Sequence, residues 1–165
     1  MDLIGEMLAS ELERTQSRFV DVSRIAMPIE RHARSIPVLK RFNAAFSVDR
    51  LVHRFWQYPS QAKKLRNNFD VFHIVDHSYS ALAHALPSER TLITCHDIDA
   101  FSSILGPKPE PRSAPFRAMT RRIATGLRRA ARIICVSQAT ERDLLASGLV
   151  EPGRTTVIPN GVHPA

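Results

Sequence analysis

The sequence predicts an α/β fold, in which a mostly parallel β-sheet lies between layers of helices. Short apolar runs rich in β-branched residues, such as residues 91–95 and 133–136, alternate with longer segments whose apolar residues recur at helical spacing. Near the C-terminus, a helical segment lies between two such runs, an order typical of a parallel βαβ unit. With 165 residues and a hydrophobic fraction of 44%, the chain suits one globular domain with its own core.

The N-terminal third predicts a helix, a short strand, a loop and a second helix. Apolar residues recur at helical spacing over residues 1–14, and residues 19–22 favour a strand. The predicted buried face of the first helix comprises Leu3, Ile4, Met7, Leu8 and Leu12. Residues 25–45 predict a loop, because prolines and basic residues occur there without a clear period. Ser47 is expected to cap the second helix and Pro59 to break it, and a shorter helix is expected to restart at Ser60 and run to about Arg66.

The two central strands are followed by polar residues that could carry chemistry. One strand is predicted over residues 70–76 and the next over residues 91–95, with a short helix over residues 80–86 between them. His96 and Asp97 follow the second strand, and ligands of open parallel sheets bind beyond the carboxyl ends of the strands. A neutral imidazole there can donate or accept a hydrogen bond near pH 7. These two residues are the strongest candidates for a functional site; the alternative is that they only cap the strand and the following helix.

Two further candidates lie at the same expected edge of the sheet. Asp76 and His77 end the first central strand, and we favour a turn there over contact of His77 with a ligand, since Asp and Ser side chains bond their own backbone. Ser137 follows the strand over residues 133–136 and is expected to cap the next helix, whose N-terminus can also hold an anion. No base lies beside Ser137 in the sequence, so it is not predicted to be a nucleophile.

The end of the chain completes the βαβ unit. The helix after Ser137 has an apolar inner face, and Gly148 suits the left-handed position that closes a helix. A strand is predicted over residues 155–158, and Pro159-Asn160-Gly161 stops it.

One predicted helix, over residues 113–129, has a strongly basic side. Its exposed side carries Arg117, Arg121 and Arg128, and no acidic residue occurs over residues 112–140. The predicted buried face comprises Phe116, Met119, Ile123 and Leu127. Such a basic side suits an anionic membrane surface or a phosphate-bearing ligand. An ordinary solvated surface is an alternative of equal weight.

The composition and the motifs exclude several classes of protein. The net charge of +7 and the pI near 10.2 favour an anionic partner, but the sequence has no zinc-ligand spacing, aromatic RNA-binding signature or glycine-lysine phosphate loop. No metal and no nucleic acid are therefore expected. Cys95 and Cys135 are expected to be reduced core thiols. No apolar run reaches membrane-spanning length and no signal pattern opens the chain, so a cytoplasmic location, or the inner face of the membrane, is expected.

Two motifs resemble segments of the N-terminal domain of family 4 glycosyltransferases, which have the two-domain GT-B fold. The first is Thr-Leu-Ile-Thr-Cys-His-Asp at residues 91–97, which is similar to the family's strand ending in Thr-x-His-Asp. The second, at residues 132–162, is a strand ending in Val-Ser, a helix, and a strand ending in Ile-Pro-Asn-Gly-Val. The resemblance covers residues 70–162 well and residues 1–22 loosely. It implies a Rossmann-like three-layer sandwich, the N-terminal half of a GT-B fold.

The resemblance also implies a reaction. A retaining enzyme of this family moves a sugar from a nucleotide-sugar donor to an acceptor hydroxyl. It needs no metal in general, and no cofactor is expected, since the nucleotide sugar counts as a co-substrate. For the matching His96, the resemblance implies contact with the donor sugar or the reacting centre, and for Asp97 a supporting role. Ser137 and His77 complete the candidate substrate-binding set, and Asn160-Gly161 is expected to lead out of the domain as a linker.

Residues 1–160 are therefore expected to form an acceptor-side domain, and residues 161–165 to begin an interdomain linker. The family's donor-binding C-terminal domain, first strand and glycine-rich loop have no counterpart in the sequence, so the chain alone is expected to be inactive. The acceptor is expected to be a sugar or a lipid-linked molecule, which agrees with peripheral contact between the basic helix and an anionic membrane. The alternative is a non-catalytic α/β module that binds an anionic partner or membrane through that helix.

Overall fold

Helices and strands alternate along the chain in the computed structural model, which describes residues 3–26, 51–105 and 110–161. The helices are α1 (Leu3–Gln16), α2 (Tyr58–Leu65), α3 (Ala114–Arg129) and α4 (Gln138–Ala146). The strands are β1 (Phe72–Ile74), β2 (Thr91–Cys95), β3 (Arg132–Cys135) and β4 (Thr155–Val157). Short 3-10 helices span His77–His84, Ser88–Arg90 and Asp99–Phe101. None of the helices in these ranges has the length and apolar character needed to cross a bilayer.

The strands form one parallel sheet in the order β1-β2-β3-β4. Ile93 lies between Ile74 and Ile133 in the register, and Cys95 is paired with Cys135. Ile93 and Ile133 have no exposed surface, as expected of strands that helices cover on both faces. The α/β sandwich with a parallel sheet is therefore confirmed.

Since all strands point the same way, their carboxyl ends lie along one edge of the sheet. We call the residues that follow the strands at this end, 75–77, 96–97, 136–137 and 158–161, the carboxyl edge. Segments at the opposite end of the strands, including residues 88–90, form the amino edge. The distance between the two edges along β2, which has five residues, is about 16 Å.

Helix α3 packs closely against the 3-10 helix His77–His84. A Cβ atom on Gly126 would collide with the carbonyl group of Ser80, so this contact requires glycine. Ser80 and Leu127 are completely buried at the same interface. The interface fixes both ends of the 3-10 helix, with His77 at the carboxyl edge and His84 towards the amino edge.

The C-terminal elements agree with the sequence predictions to within one or two residues. Strand β2 has the predicted bounds, and Ser113 caps α3 by accepting a hydrogen bond from Phe116 N. Gly148 closes α4 in the left-handed conformation, with φ of 67°. For one residue of α3, the prediction that it lies on the buried face is wrong. Phe116 is exposed, and the guanidinium of Arg112 lies over its ring at 5.5 Å from the centroid.

The strand predicted over residues 19–22 does not form. Phe19 N and Val20 N both donate to Gln16 O, which ties these residues to the end of α1. Phe19 is 85% exposed, so there is no burial to stabilise an extended strand. The apolar face of α1 is also less buried than predicted: Ile4 is exposed, and Ala9 is its buried residue.

Pro59 does not break the helix, contrary to the prediction, whereas the shorter helix expected from Ser60 to about Arg66 is present as α2. A π-helical turn, His53–Gln57, runs directly into α2, and Tyr58 N donates to His53 O. This wider turn places Pro59 among the first residues of α2, where its missing N–H needs no partner. Ser47 and nearly all of the loop predicted over residues 25–45 lie outside the described residues.

Between the central strands, the structure differs from the prediction in length and in type. Strand β1 has only three residues, and a 3-10 helix from His77 to His84 replaces the helix predicted over residues 80–86. Asp76 caps this 3-10 helix by accepting a hydrogen bond from Ser78 N at 2.7 Å. The helix therefore begins at the carboxyl edge, three residues earlier than predicted.

Candidate functional site at the carboxyl edge

The structure brings His96 and Ser137 together at the carboxyl edge. The Cα atoms of Cys95 and Cys135 are partners in the register, so the residues that follow them leave the sheet side by side. Thr140 links the two segments. Its hydroxyl donates to His96 O at 3.1 Å, and its N–H donates to Ser137 Oγ at 3.0 Å. The backbone after β2 is thereby fixed to the first turn of α4.

The imidazole of His96 has a defined tautomer in this geometry. Its Nε2 lies 3.0 Å from Val75 O, and since a carbonyl oxygen can only accept, Nε2 donates the hydrogen bond. In the neutral ring, Nδ1 is therefore the nitrogen with the free lone pair. His96 is half-buried, so this edge presents an oriented hydrogen-bond acceptor.

His77 lies beneath His96 and supports it. The His77 side chain is only 6% exposed, and its Nδ1 accepts a hydrogen bond from His96 N at 3.3 Å. The proton of the neutral ring is consequently on Nε2, which faces Asp97 Oδ1 at 3.7 Å. A side chain in this position holds the backbone of His96 rather than facing solvent.

Burial determines the charge of His77. Desolvation lowers its pKa, and the carboxylates of Asp97 and Asp76 offset this only in part by raising it. The positive charge of Arg54 lowers the pKa further. The neutral ring, which the hydrogen bond from His96 N requires, is thus the favoured form at neutral pH.

The two aspartates at this edge both accept hydrogen bonds from backbone N–H groups near the start of short helices. Asp97 Oδ1 accepts a hydrogen bond from Asp99 N at 3.1 Å, at the start of the 3-10 helix Asp99–Phe101. Asp76 bonds both the N–H and the hydroxyl of Ser78. The hydrogen bonds between Asp76 and Ser78 match the turn predicted at this position. Asp97 is more exposed, at 55% of its side chain, and keeps its second oxygen available at the edge.

The two cysteines lie behind the edge as unreactive thiols. Both are free and completely buried. Burial raises the pKa of Cys95 to about 12 and that of Cys135 to about 11. Cys95 Sγ also donates to Asp97 O at 3.2 Å. Neither sulfur is a nucleophile at neutral pH, and no group of three or more His, Cys, Asp or Glu in the described ranges is placed to hold a metal ion.

Asn160 and Gly161 lie at the same edge, after β4. Ile158 N donates to Cys135 O at 2.9 Å, which keeps the chain beside β3 until it leaves the sheet. Asn160 and Gly161 are both exposed. Both residues thus lie at the edge that carries His96, and their role as a linker stays a prediction.

The three predicted basic residues of α3 are on its exposed side. Arg117 and Arg121 make no ion pair with an acidic residue in the described part of the chain. Arg128 differs from them, because its Nε donates to Leu149 O at 3.3 Å. We call Arg117, Arg121 and Arg128 the basic face of α3.

Sequence reasoning missed Thr140 and the supporting role of His77. Thr140 is three residues after Ser137, the spacing at which an N-cap side chain accepts a hydrogen bond from a backbone N–H, and this could have drawn attention to it. The role of His77 depends on the register of β1 and β2, which residue types do not reveal.

Comparison with known proteins identifies a family for this chain. The family model of Glycosyltransferase Family 4 matches residues 7–165, which include the whole carboxyl edge. Searches of curated proteins and of solved structures give no significant match.

Proposed function

The chain belongs to glycosyltransferase family 4, and we propose that it is the acceptor-side domain of a retaining enzyme. This enzyme moves a sugar from a nucleotide-sugar donor to an acceptor hydroxyl. The observation that supports the proposal is the orientation of His96. Its Nε2 is held by Val75 O, its backbone is held by His77 and Thr140, and its Nδ1 lone pair is left for a ligand.

In the proposed reaction His96 binds and orients a sugar hydroxyl at the carboxyl edge. A hydroxyl that donates to Nδ1 is fixed in direction, because the imidazole cannot rotate without losing its bond to Val75 O. Asp97 accepts a second hydrogen bond near the same position, and Ser137, at the positive end of α4, faces phosphate or sugar oxygens. Retention at the anomeric carbon follows from the family and not from these residues.

The donor is bound mainly by a second domain in this proposal. Asn160 and Gly161 begin the connection to that domain in this proposal, and the 165 residues alone are expected to give no turnover of a nucleotide sugar. The acceptor is a sugar or a lipid-linked molecule. A cytoplasmic enzyme at the inner membrane surface would meet both substrates.

The test is sugar transfer by the chain expressed together with the downstream sequence of its gene. His96→Gln is expected to lower kcat by about 100-fold, the effect of losing one well-placed polar group at a reacting centre. His73→Gln is the matched control, because it also removes a half-buried imidazole from the sheet, one that bonds Thr94 Oγ1 and not the edge. If circular dichroism shows that both variants are folded and their activities are equal, a role for His96 is refuted.

A second candidate function is favoured by the basic face of α3. Its arginines suit binding of the domain to an anionic membrane, and they lie on a helix whose other side is buried. Co-sedimentation with phosphatidylglycerol vesicles at low and high salt tests this. Replacing Arg117, Arg121 and Arg128 by Gln is expected to weaken binding at low salt.

The control for this experiment changes the same net charge elsewhere. Arg18, Arg24 and Arg142 are exposed residues outside α3, and their replacement by Gln should leave more binding than the α3 variant does. Equal weakening by both triple variants would show that only net charge matters.

A further inference from the structure

A second region with binding character lies at the amino edge. It is a cavity of ≈ 400 Å³ between the end of α2, the segment that enters β2, and the end of α3. Its charged and titratable lining residues are Lys63, Arg66, His84, Glu89, Arg90 and Arg129, and we call this set the basic cleft. The cleft lies at the opposite end of β2 from His96, and no residue at the carboxyl edge lines it.

The positive charge of the basic cleft is largely uncompensated. Lys63, Arg66 and Arg129 make no ion pair with any acidic residue that the structure describes. The one carboxylate of the cleft, on Glu89, is 71% exposed and lies 3.9 Å from Arg90 Nε. Like charges that face a common cavity repel one another unless an anion occupies it.

Arg90 has a different role, because it builds the wall of the cleft. Its guanidinium donates to Phe69 O at 3.1 Å and to Arg66 O at 3.4 Å. These bonds hold the end of the helical segment that contains Lys63 and Arg66 against the start of β2. The hydrogen bonds from Arg90 thus fix the backbone that carries Lys63 and Arg66.

His84 connects the cleft to α3. Its Nε2 lies 3.2 Å from Arg122 O and 3.1 Å from Thr125 Oγ1, so Nε2 donates to the carbonyl and Nδ1 is the nitrogen that titrates. Burial lowers the pKa of His84, and the charges of Arg122 and Arg129 lower it further, while the bond to Arg122 O raises it. An anion in the cleft would offset these charges.

We propose that the basic cleft binds a small anion that carries phosphate groups, at a site separate from the carboxyl edge. Guanidinium groups and an ammonium group around one cavity suit phosphate oxygens, which accept several charge-assisted hydrogen bonds at once. The volume is at the lower end of small-molecule sites and suits a diphosphate or a phosphorylated metabolite. The phosphate is carried by a free solute or by a lipid headgroup.

The experiment measures the affinity of the full chain for inorganic pyrophosphate by calorimetry at about 0.15 M salt, where long-range attraction is screened. The double substitution Arg66→Gln and Arg129→Gln is expected to weaken binding about tenfold or more, since each charge contributes hydrogen bonds to the anion. The control, Arg18→Gln with Arg142→Gln, removes the same charge from exposed positions outside the cleft and should change affinity by less than about twofold. His96→Gln should leave binding unchanged.

An independent readout is the His84 imidazole in nuclear magnetic resonance spectra. Pyrophosphate is expected to raise the pKa of His84 in the wild-type chain and not in the cleft variant. If both double variants weaken binding equally, or if His84 does not respond, binding is non-specific and the proposal is wrong. Absence of binding to both pyrophosphate and vesicles also overturns it.

A second arm identifies the carrier of the phosphate. Vesicles that contain phosphatidic acid are compared with vesicles of phosphatidylcholine, with and without pyrophosphate as competitor. Binding to phosphatidic acid that the cleft variant loses and the Arg18→Gln, Arg142→Gln control retains supports the site, with a lipid headgroup as the ligand. Vesicle binding that depends equally on both sets of arginines refutes it.

Discussion

The two edges of the sheet are organised by different forces. At the carboxyl edge, polar groups bond one another: His96 to Val75 O, His77 to His96 N, and Thr140 to His96 O. In the basic cleft at the amino edge, three cationic side chains lack a carboxylate partner among the residues that the structure describes. One edge is ordered before any ligand arrives, whereas the other contains charge that a ligand would neutralise.

This difference shows what each region can do. A preorganised edge suits chemistry, in which a displacement of about 1 Å can cost 100-fold in rate. A set of unpaired charges suits capture of an anion, for which precise geometry is less important than charge. The 3-10 helix His77–His84 touches both edges, with its first residue under His96 and its last in the cleft. A substitution can therefore change one edge alone or both edges at once.

The largest expected effect comes from a change that damages both edges. Gly126→Ala places a methyl group against the carbonyl of Ser80 and must push α3 away from the 3-10 helix. We expect a loss of about 3 kcal/mol in the free energy of unfolding in urea. Gly161→Ala is the control, since a Cβ there meets nothing within 4 Å, and its effect should stay within about 0.5 kcal/mol. Similar stability of the two variants would contradict the close packing.

A smaller effect should be confined to the carboxyl edge. His77→Leu leaves His96 N without its acceptor in a buried position, which we expect to cost about 2 kcal/mol of stability. His77→Asn should recover part of this loss, because an amide oxygen can take the place of Nδ1. Spectra of the His96 ring should change in the Leu variant, while pyrophosphate binding in the cleft stays the same. Loss of pyrophosphate binding would show that the two edges are not independent.

The buried histidines predict a dependence of stability on pH. Burial lowers the pKa of both His73 and His77 in the folded state, so the unfolded chain takes up protons first as the pH falls below about 6.5. The stability that these neutral rings maintain is present above that pH and declines towards pH 5. We expect urea unfolding to show a loss of about 1 kcal/mol between pH 7 and pH 5, and a weaker dependence in His77→Asn. A stability that rises on acidification would contradict this.

The smallest expected effect concerns the thiols behind the carboxyl edge. With pKa values of about 12 and about 11, Cys95 and Cys135 should be protonated at pH 8. A thiol reagent should label the native chain very slowly and label both cysteines rapidly in urea. Rapid labelling of the native chain would show that the edge opens more readily than its hydrogen bonds suggest.

The sequence predicted the C-terminal elements well because local signals and burial agree there. Strand β2 is a compact β-branched run, Ser113 and Ser137 are good N-caps, and Gly148 closes α4. Residues 19–22 have the same β-branched character but lie in solvent beyond α1. Propensity alone did not make a strand there.

The details of the two edges were beyond sequence reasoning. His77 and His96 are 19 residues apart and meet only through the register of β1 with β2. The cleft joins residues from three separate segments, at 63–67, 84–90 and 129, which share no local pattern. Residue types indicated which end of the sheet to inspect, but not which nitrogen of which histidine is free.

The most direct test of the central claim is the nitrogen spectrum of His96 with and without a nucleotide sugar, recorded on the chain expressed together with the downstream sequence of its gene. At neutral pH the account predicts a proton on Nε2 and a free lone pair on Nδ1, and it predicts that the Nδ1 signal shifts when the sugar ligand binds. A proton on Nδ1, or a ligand that shifts other residues and leaves His96 unchanged, would contradict the account.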